Sequence, residues 1–308
     1  MAKFIMKRLL TMVVTLWVIT TLTFVLMHAI PGSPFNQERN SNAAIQKNLE
    51  AQYHLDQPLY VQYLYYLKSI LQFDFGPSIK QPSQTVNDML GRGFPVSFEL
   101  GMTALLIAVI SGMVLGILAA LKHNGLIDYL AMTIAVLGIS IPNFILATLL
   151  IQEFAVNLKI LPAATWTSPS HMILPTAALA VSPMAIIARL TRSSLLEVLT
   201  QDYIKTARSK GLSPVKIIVK HALRNALIPV VTILGTLTAS ILTGSFVIEK
   251  IFAVPGMGKY FVESINSRDY PVIMGTTVFY SIFLIMMLFL VDIAYGLLDP
   301  RIKLHKKE

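Results

Sequence analysis

Side chains able to do chemistry are scarce in this sequence, and each can be weighed in turn. The run AVPGMGKY, Ala253–Tyr260, has the outline of a phosphate-binding loop. Such a loop needs G-x-x-x-x-G-K-[ST], because its backbone N–H groups cradle phosphate and its hydroxyl holds magnesium. Here Ala253 stands at the first glycine and Tyr260 at the hydroxyl. No nucleotide site is expected, and hence no ATP or Mg bound by this chain. The six histidines (His28, His54, His123, His171, His221 and His305) fall in no metal-binding spacing. The absence of cysteine excludes disulfides, thiol nucleophiles and thiolate-bound metal. No Ser-His-Asp set or carboxylate pair stands out, so the chain is not expected to be an enzyme or to hold a metal.

What remains is polar chemistry inside apolar sequence. Asp292 lies within a hydrophobic run, where a carboxylate is costly and usually paired or functional. A structural pair or water contact is the expectation, ahead of a proton relay. Thr232, Thr236 and Ser240 recur every four residues, so their hydroxyls share one helix stripe. The stripe suits helix packing or the lining of a polar path. Ala104, Ala108, Gly112, Gly116 and Ala120 form a stripe of small residues, which predicts a close-packing face.

The elements that must position these residues are membrane helices. The 308 residues are 55% hydrophobic and 13% charged, with a net charge of +9. Soluble domains carry about 25% charged residues. The basic residues do not gather on a soluble module, so no nucleic-acid partner is expected. A helix crossing the bilayer needs about 20 apolar residues. Six runs qualify, at about residues 9–30, 100–121, 129–151, 172–188, 226–248 and 272–298. The fourth is the shortest. The first follows Lys3, Lys7 and Arg8 but is too long for a signal-peptide core, and no small-x-small cleavage site follows it. The expected architecture is an all-α membrane protein of one domain, 1–308.

Lys and Arg counts in the connections set the orientation. With both termini inside, sixteen basic residues fall in the cytoplasm and nine in much longer outer loops. The outer loop at 31–95 carries LDQPLYVQYLYYLKSIL, whose apolar and aromatic spacing predicts an amphipathic helix. Such a helix suits the outer membrane face or an external docking partner.

Between the fourth and fifth runs lies a basic cytoplasmic segment, 200–224. Thr200 is expected to cap a short helix with Asp202 in its first turn. Gly211 suits the left-handed position that ends it, and Ser213 with Pro214 starts a second helix. There Lys216, Lys220 and Arg224 recur every four residues. The segment reads as an inside anchor touching lipid phosphates. The small residues Ala207 and Gly211 hint instead at a docked partner.

At this point the sequence resembles a known family. ARLTRSSLLEVLTQDYIKTARSKGL followed by HALRNALIPVVT is similar to the cytoplasmic loop of ABC-importer membrane subunits, above all the B-type permeases of oligopeptide and dipeptide uptake. That superfamily has a Glu-Ala-Ala, three residues, Gly pattern. Lys205 and Thr206 depart from it in the manner of the peptide permeases, while Ala207 and Gly211 match. Where the general pattern ends in proline this chain has Arg224, as in B-type subunits. KRLLTMVVTLWVITTLTFVLMHAIPGSP, EKIFAVPGMGKYFVESINSRDYPVIMG and DPRIKL resemble further stretches of the family in the same order.

The resemblance implies a type I importer permease fold with six transmembrane helices, in a bacterial plasma membrane. It implies half of an oligopeptide translocation path, the other half being a C-type permease subunit. Two cytoplasmic ATPase subunits would bind ATP and Mg, and an extracellular peptide-binding protein would deliver cargo. Asp202, Lys205, Thr206, Ala207, Arg208, Gly211 and Leu212 would form the coupling helix in an ATPase groove. Pro255, Gly256, Gly258, Arg268 and Asp269 would belong to an outer gate or receptor-contact loop. Thr232, Thr236 and Ser240 would face the path. The same class carrying dipeptides, nickel complexes or glutathione stays open. So does an ion-driven secondary transporter, although Asp292 alone would serve it.

Overall fold

In the computed structural model the described residues are 2–29, 51, 53–242 and 246–298. They are almost wholly helical, and their only strand-like feature is an isolated bridge between Pro77 and Thr85. Expectations for residues 30–50, 52, 243–245 and 299–308 lie outside the described residues. So does the side chain of Asp292. The chain packs as two compact units, Met1–Val96 with Gly256–Met286, and Ser97–Pro255 with Met287–Glu308.

In the first unit, helix α1 (Ala2–Ala29) starts well before its apolar run. Leu10, Val13, Trp17 and Val25 are exposed along it. A helix with so much apolar surface uncovered belongs against lipid or another chain. Helix α2 (Leu59–Leu71) is the expected outer-loop helix. Its inner side packs on α1, with Tyr66 stacked on Phe24 and the Tyr63 hydroxyl 2.6 Å from Thr21 Oγ1. Its outer side carries Tyr60, Leu64 and Leu71, all exposed. The exposed side is therefore largely aromatic and aliphatic, with Lys68 as its exposed charge.

Helix α3 (Val86–Leu121) begins inside the stretch assigned to the outer loop. Thr85 and Asp88 explain the early start. The Asp88 N–H donates to Thr85 Oγ1 at 3.1 Å, and the Thr85 N–H donates to Asp88 Oδ2 at 3.2 Å. This reciprocal pair is a capping box, legible in the sequence TVND.

The second unit is organised on α6 (Ser170–Leu199). This helix runs beyond its expected apolar end near 188, through Arg189, Arg192 and Glu197, because loss of hydrophobicity does not by itself stop a helix. All five residues of the small stripe on α3 are buried, as expected. A Cβ at Gly116 would lie 2.5 Å from the Ala188 carbonyl oxygen of α6, so only glycine permits this approach.

The expected third span is not one helix. Helix α4 (Leu126–Ser140) ends at Ile141, and α5 (Asn143–Leu150) continues as a π-helix over Ile151–Asn157. The two arms meet at 107°. Pro142 forces the break, since it lacks an N–H and pushes Ile141 to an extended ψ of 120°. Among the described residues four helices are long and apolar enough to span a bilayer, and up to six spans result if each bent pair counts as one.

Candidate functional site: the basic cytoplasmic segment

Helix α6 ends at Leu199, and the basic segment follows directly. Helix α7 (Asp202–Ser209) opens with Gln201 at its N-cap position. The capping expected of Thr200 is therefore corrected. Its hydroxyl bonds back to the Glu197 carbonyl at 2.7 Å and closes α6 instead. Asp202 does sit in the first turn, where its charge meets the positive helix end. It also pairs with Lys205 at 2.8 Å, but both side chains are open to solvent, so the pair adds little.

The end of α7 is a Schellman motif. Gly211 has φ +75°, its N–H donates to Arg208 O at 2.9 Å, and the Leu212 N–H reaches Ala207 O at 3.3 Å. Ser213 and Pro214 then start α8 (Pro214–Ala226) as expected. The middle of α8 is a π-helix over Ile217–Ala222. The wider turn explains its burial pattern, because Ile217, Ala222 and Ala226 all face inward at spacings of five and four. Lys216, Lys220 and Arg224 are exposed. The Asn225 side-chain N–H donates to the Tyr203 hydroxyl at 2.8 Å and ties the two helices together.

Burial sorts the seven expected coupling residues into two groups. Asp202, Lys205, Thr206, Arg208 and Gly211 are exposed. Ala207 is buried, packing with Leu195, Ile204 and Ile217, and Leu212 packs against the same cluster. The smallness of Ala207 thus serves the chain's own core, which corrects its reading as a contact for a partner. A Cβ at Gly211 would meet nothing within 4 Å, so that position is open to approach.

Sequence reasoning missed an ion pair beside this segment. Asp128, at the start of α4, takes a bidentate fork from Arg192 of α6, Nε to Oδ1 at 2.5 Å and a terminal nitrogen to Oδ2 at 2.7 Å. The Asn124 N–H adds a third bond at 3.0 Å. Arg192 lies two turns above the end of α6. The signal available was an acid just after a turn and an arginine near the end of a long helix, but the two stand 64 residues apart.

Thr232, Thr236 and Ser240 lie on α9 (Ile228–Leu242), all exposed on one side, while Val230, Gly235, Ala239, Ile241 and Leu242 face inward. The hydroxyls of Thr232 and Thr236 bond to their own helix at 2.9 Å each. A Cβ at Gly235 would overlap Val291, so the inner side is tightly filled.

The expected outer-gate residues divide in the same way. Pro255 is exposed. Gly256 is the N-cap residue of α11 (Met257–Ser267), which follows α10 (Phe246–Ile251). Gly256 and Gly258 are buried, and Gly93 packs close against the Gly256–Met257 backbone. Arg268 ends α11 in the left-handed conformation. Asp269, just before α12 (Tyr270–Leu298), is 3% exposed. Its carboxylate accepts the Ser78 hydroxyl, the Ile79 N–H at 3.1 Å and the Lys80 N–H at 3.1 Å. It is thus a clamp on residues 78–80 within the first unit, and not a group presented to solvent. Burial, with the Asp269 charge second, pushes the Tyr53 hydroxyl above its ordinary pKa, so it stays protonated and donates to Ser78 O at 3.0 Å. Asp269→Ala is expected to strand three donors and lower stability by about 3 kcal/mol. Asp269→Asn, which keeps an acceptor, is expected to cost less. Thermal unfolding in detergent checks both.

Within the second unit, helices α7 and α8 form a basic hairpin between α6 and α9. The chain belongs to the family of binding-protein-dependent transport system inner membrane components, whose sequence profile matches residues 112–304. The profile of that family's N-terminal region matches residues 1–100. The chain is 79% identical over 307 residues to the dipeptide transport system permease protein of Bacillus subtilis (strain 168), covering 100% of both. It is 46% identical over 305 residues to the oligopeptide transport system permease protein of Haemophilus influenzae, covering 98% of this chain and 100% of the relative. A methionine ABC transporter solved in inward-facing conformations has a similar fold, with a TM-score of 0.53 at 21% identity over 67% of this chain and 92% of that one.

Proposed function

We propose that this chain is the B-type half of a peptide importer, driven by ATPase subunits that dock on α7. The observation that carries the docking is the split character of α7. Ile204 and Ala207 lock it to the end of α6, while Asp202, Lys205, Thr206 and Arg208 stand outward on a rigid, Schellman-capped knob. A knob fixed this firmly passes motion of a docked partner into α6 and α8 without dissipating it. Each state of the cycle must then differ in its contacts at α7, or no coupling results.

In this reading ATP and Mg bind on two partner chains, and this chain hydrolyses nothing. A C-type permease covers the exposed side of α9, where Thr232, Thr236 and Ser240 face the path. An extracellular binding protein meets the outer side, with the exposed Pro255 and the Arg268 that precedes the Asp269 clamp as candidate contacts. Both termini are cytoplasmic, as the distribution of basic residues favours. The peptide cargo expected from the sequence stands. The 79% identity to a dipeptide permease favours short peptides over the oligopeptides first expected.

The test is purification from the native membrane in mild detergent. A second permease and two ATPase subunits should accompany the chain. A lone, folded chain that transports without ATP would overturn the reading in favour of ion-driven transport. Uptake of labelled dipeptide, competed by longer peptides, fixes the cargo length.

A further inference from the structure

The docking reading uses α7 and leaves the charged face of α8 without a task. Lys216, Lys220 and Arg224 are exposed along it, and no Asp or Glu occurs from Tyr203 to Ile248. Next to these cations stand two largely exposed valines, Val215 just before Lys216 and Val219 just before Lys220. Val215 is 70% exposed and Val219 62%. Exposed aliphatics beside lysines are out of place in water, and they do not serve the chain's own core, which takes Ile217, Ala222 and Ala226.

In the proposed orientation, Arg224 is the first charged residue on the cytoplasmic side of the apolar run that continues from Ala226 into α9. This face therefore stands at the inner end of the span, with Lys220 and Lys216 about one and two turns further on. The two arms meet at 50° across Leu227, just before Pro229, so α8 leaves the span obliquely instead of running straight into water.

We propose that α8 is a site for anionic lipid. Val215 and Val219 dip into the acyl boundary, and Lys216, Lys220 and Arg224 hold ionised phosphate headgroups of the inner leaflet. Cations with no acidic partner among the described residues, set beside exposed aliphatics, match that surface, which presents both negative charge and hydrocarbon. A purely acidic protein groove would satisfy the cations and leave the valines uncovered. Lipid would thus fix the far end of the hairpin while α7 engages the ATPase. The site stands whether or not α7 is the dock.

The sequence has no cysteine, so a single reporter can be placed without background. A fluorophore on Val219→Cys, with Val215→Cys as a second site, is followed in the purified assembly in nanodiscs. The nanodiscs hold phosphatidylcholine carrying quenching phosphatidylglycerol or, separately, quenching phosphatidylcholine of equal label depth. Each basic residue near an anionic surface favours it roughly fivefold. Quenching by the phosphatidylglycerol should therefore exceed that by phosphatidylcholine at least about twofold, and fall towards parity in Lys216→Gln/Lys220→Gln/Arg224→Gln. A reporter at Thr206→Cys should show no such preference. Equal quenching by the two lipids would overturn the anionic site. Absence of lipid quenching, with the reporter shielded from aqueous iodide only when ATPase subunits are bound, would assign α8 to the protein partner.

Discussion

Gly211→Asp is expected to abolish peptide uptake while leaving the chain inserted and folded. The backbone there has φ +75°, a conformation that costs an ordinary L-residue about 1 kcal/mol. Aspartate is among the side chains that tolerate it. The added atoms meet nothing within 4 Å of the Cβ, so the cluster of Leu195, Ile204 and Ile217 is undisturbed. What changes is the outward surface, where a carboxylate and new bulk appear at the tip of the hairpin, beside Arg208 and Lys210. On the proposed docking, an ATPase seated on α7 must give way. Gly211→Asn separates the causes, since it matches aspartate in shape and in left-handed tolerance but carries no charge. Uptake in cells and recovery of ATPase subunits with the tagged chain are the measurements. Normal uptake in Gly211→Asp would sink the coupling assignment.

Arg192→Ala is expected to cost about 3 kcal/mol of stability, the low end for breaking a buried pair. The Asp128 carboxylate has 3% of its side chain exposed and would keep only the Asn124 N–H. The low end applies because Arg192 retains 25% exposure, so water can enter when it is removed. The double change Asp128→Asn/Arg192→Leu should recover most of the loss, since neutral groups of similar size carry no desolvation penalty. A double-mutant cycle on unfolding midpoints isolates the pairwise energy. If Arg192→Ala and Asp128→Ala prove additive, the fork contributes nothing.

The sequence disclosed features whose cause is local. Gly211 and Ser213–Pro214 set the hairpin as their types require, and the small stripe on α3 is a packed face. Two further local signals went unused. Pro142 after Ile141 breaks the third span, and Thr85 with Asp88 starts α3 early. What no window reveals is pairing at long range. Asp269 meets Ser78 across 191 residues, and Asp128 meets Arg192 across 64. Burial of Ala207 depends on Leu195 and Ile217, which only the fold brings together. Residue type made each of these a candidate, but partner and role came from geometry. The exposed stripe on α9 is intermediate. Its periodicity was legible, while its exposure was not.

The π-turn in α8 sets the angular phase of everything that follows it. An α-turn over Ile217–Ala222 would hold the same rise with one residue fewer. Removing a single residue there would relax the turn to α geometry and let Ala226, α9 and the Thr232 stripe keep their facing. Removing one from a strictly α-helical stretch would instead rotate all of them by about 100°. Length variation among related chains should therefore collect at this turn. A one-residue gap that an alignment places a few positions away would misassign which side of α9 is exposed and which is packed.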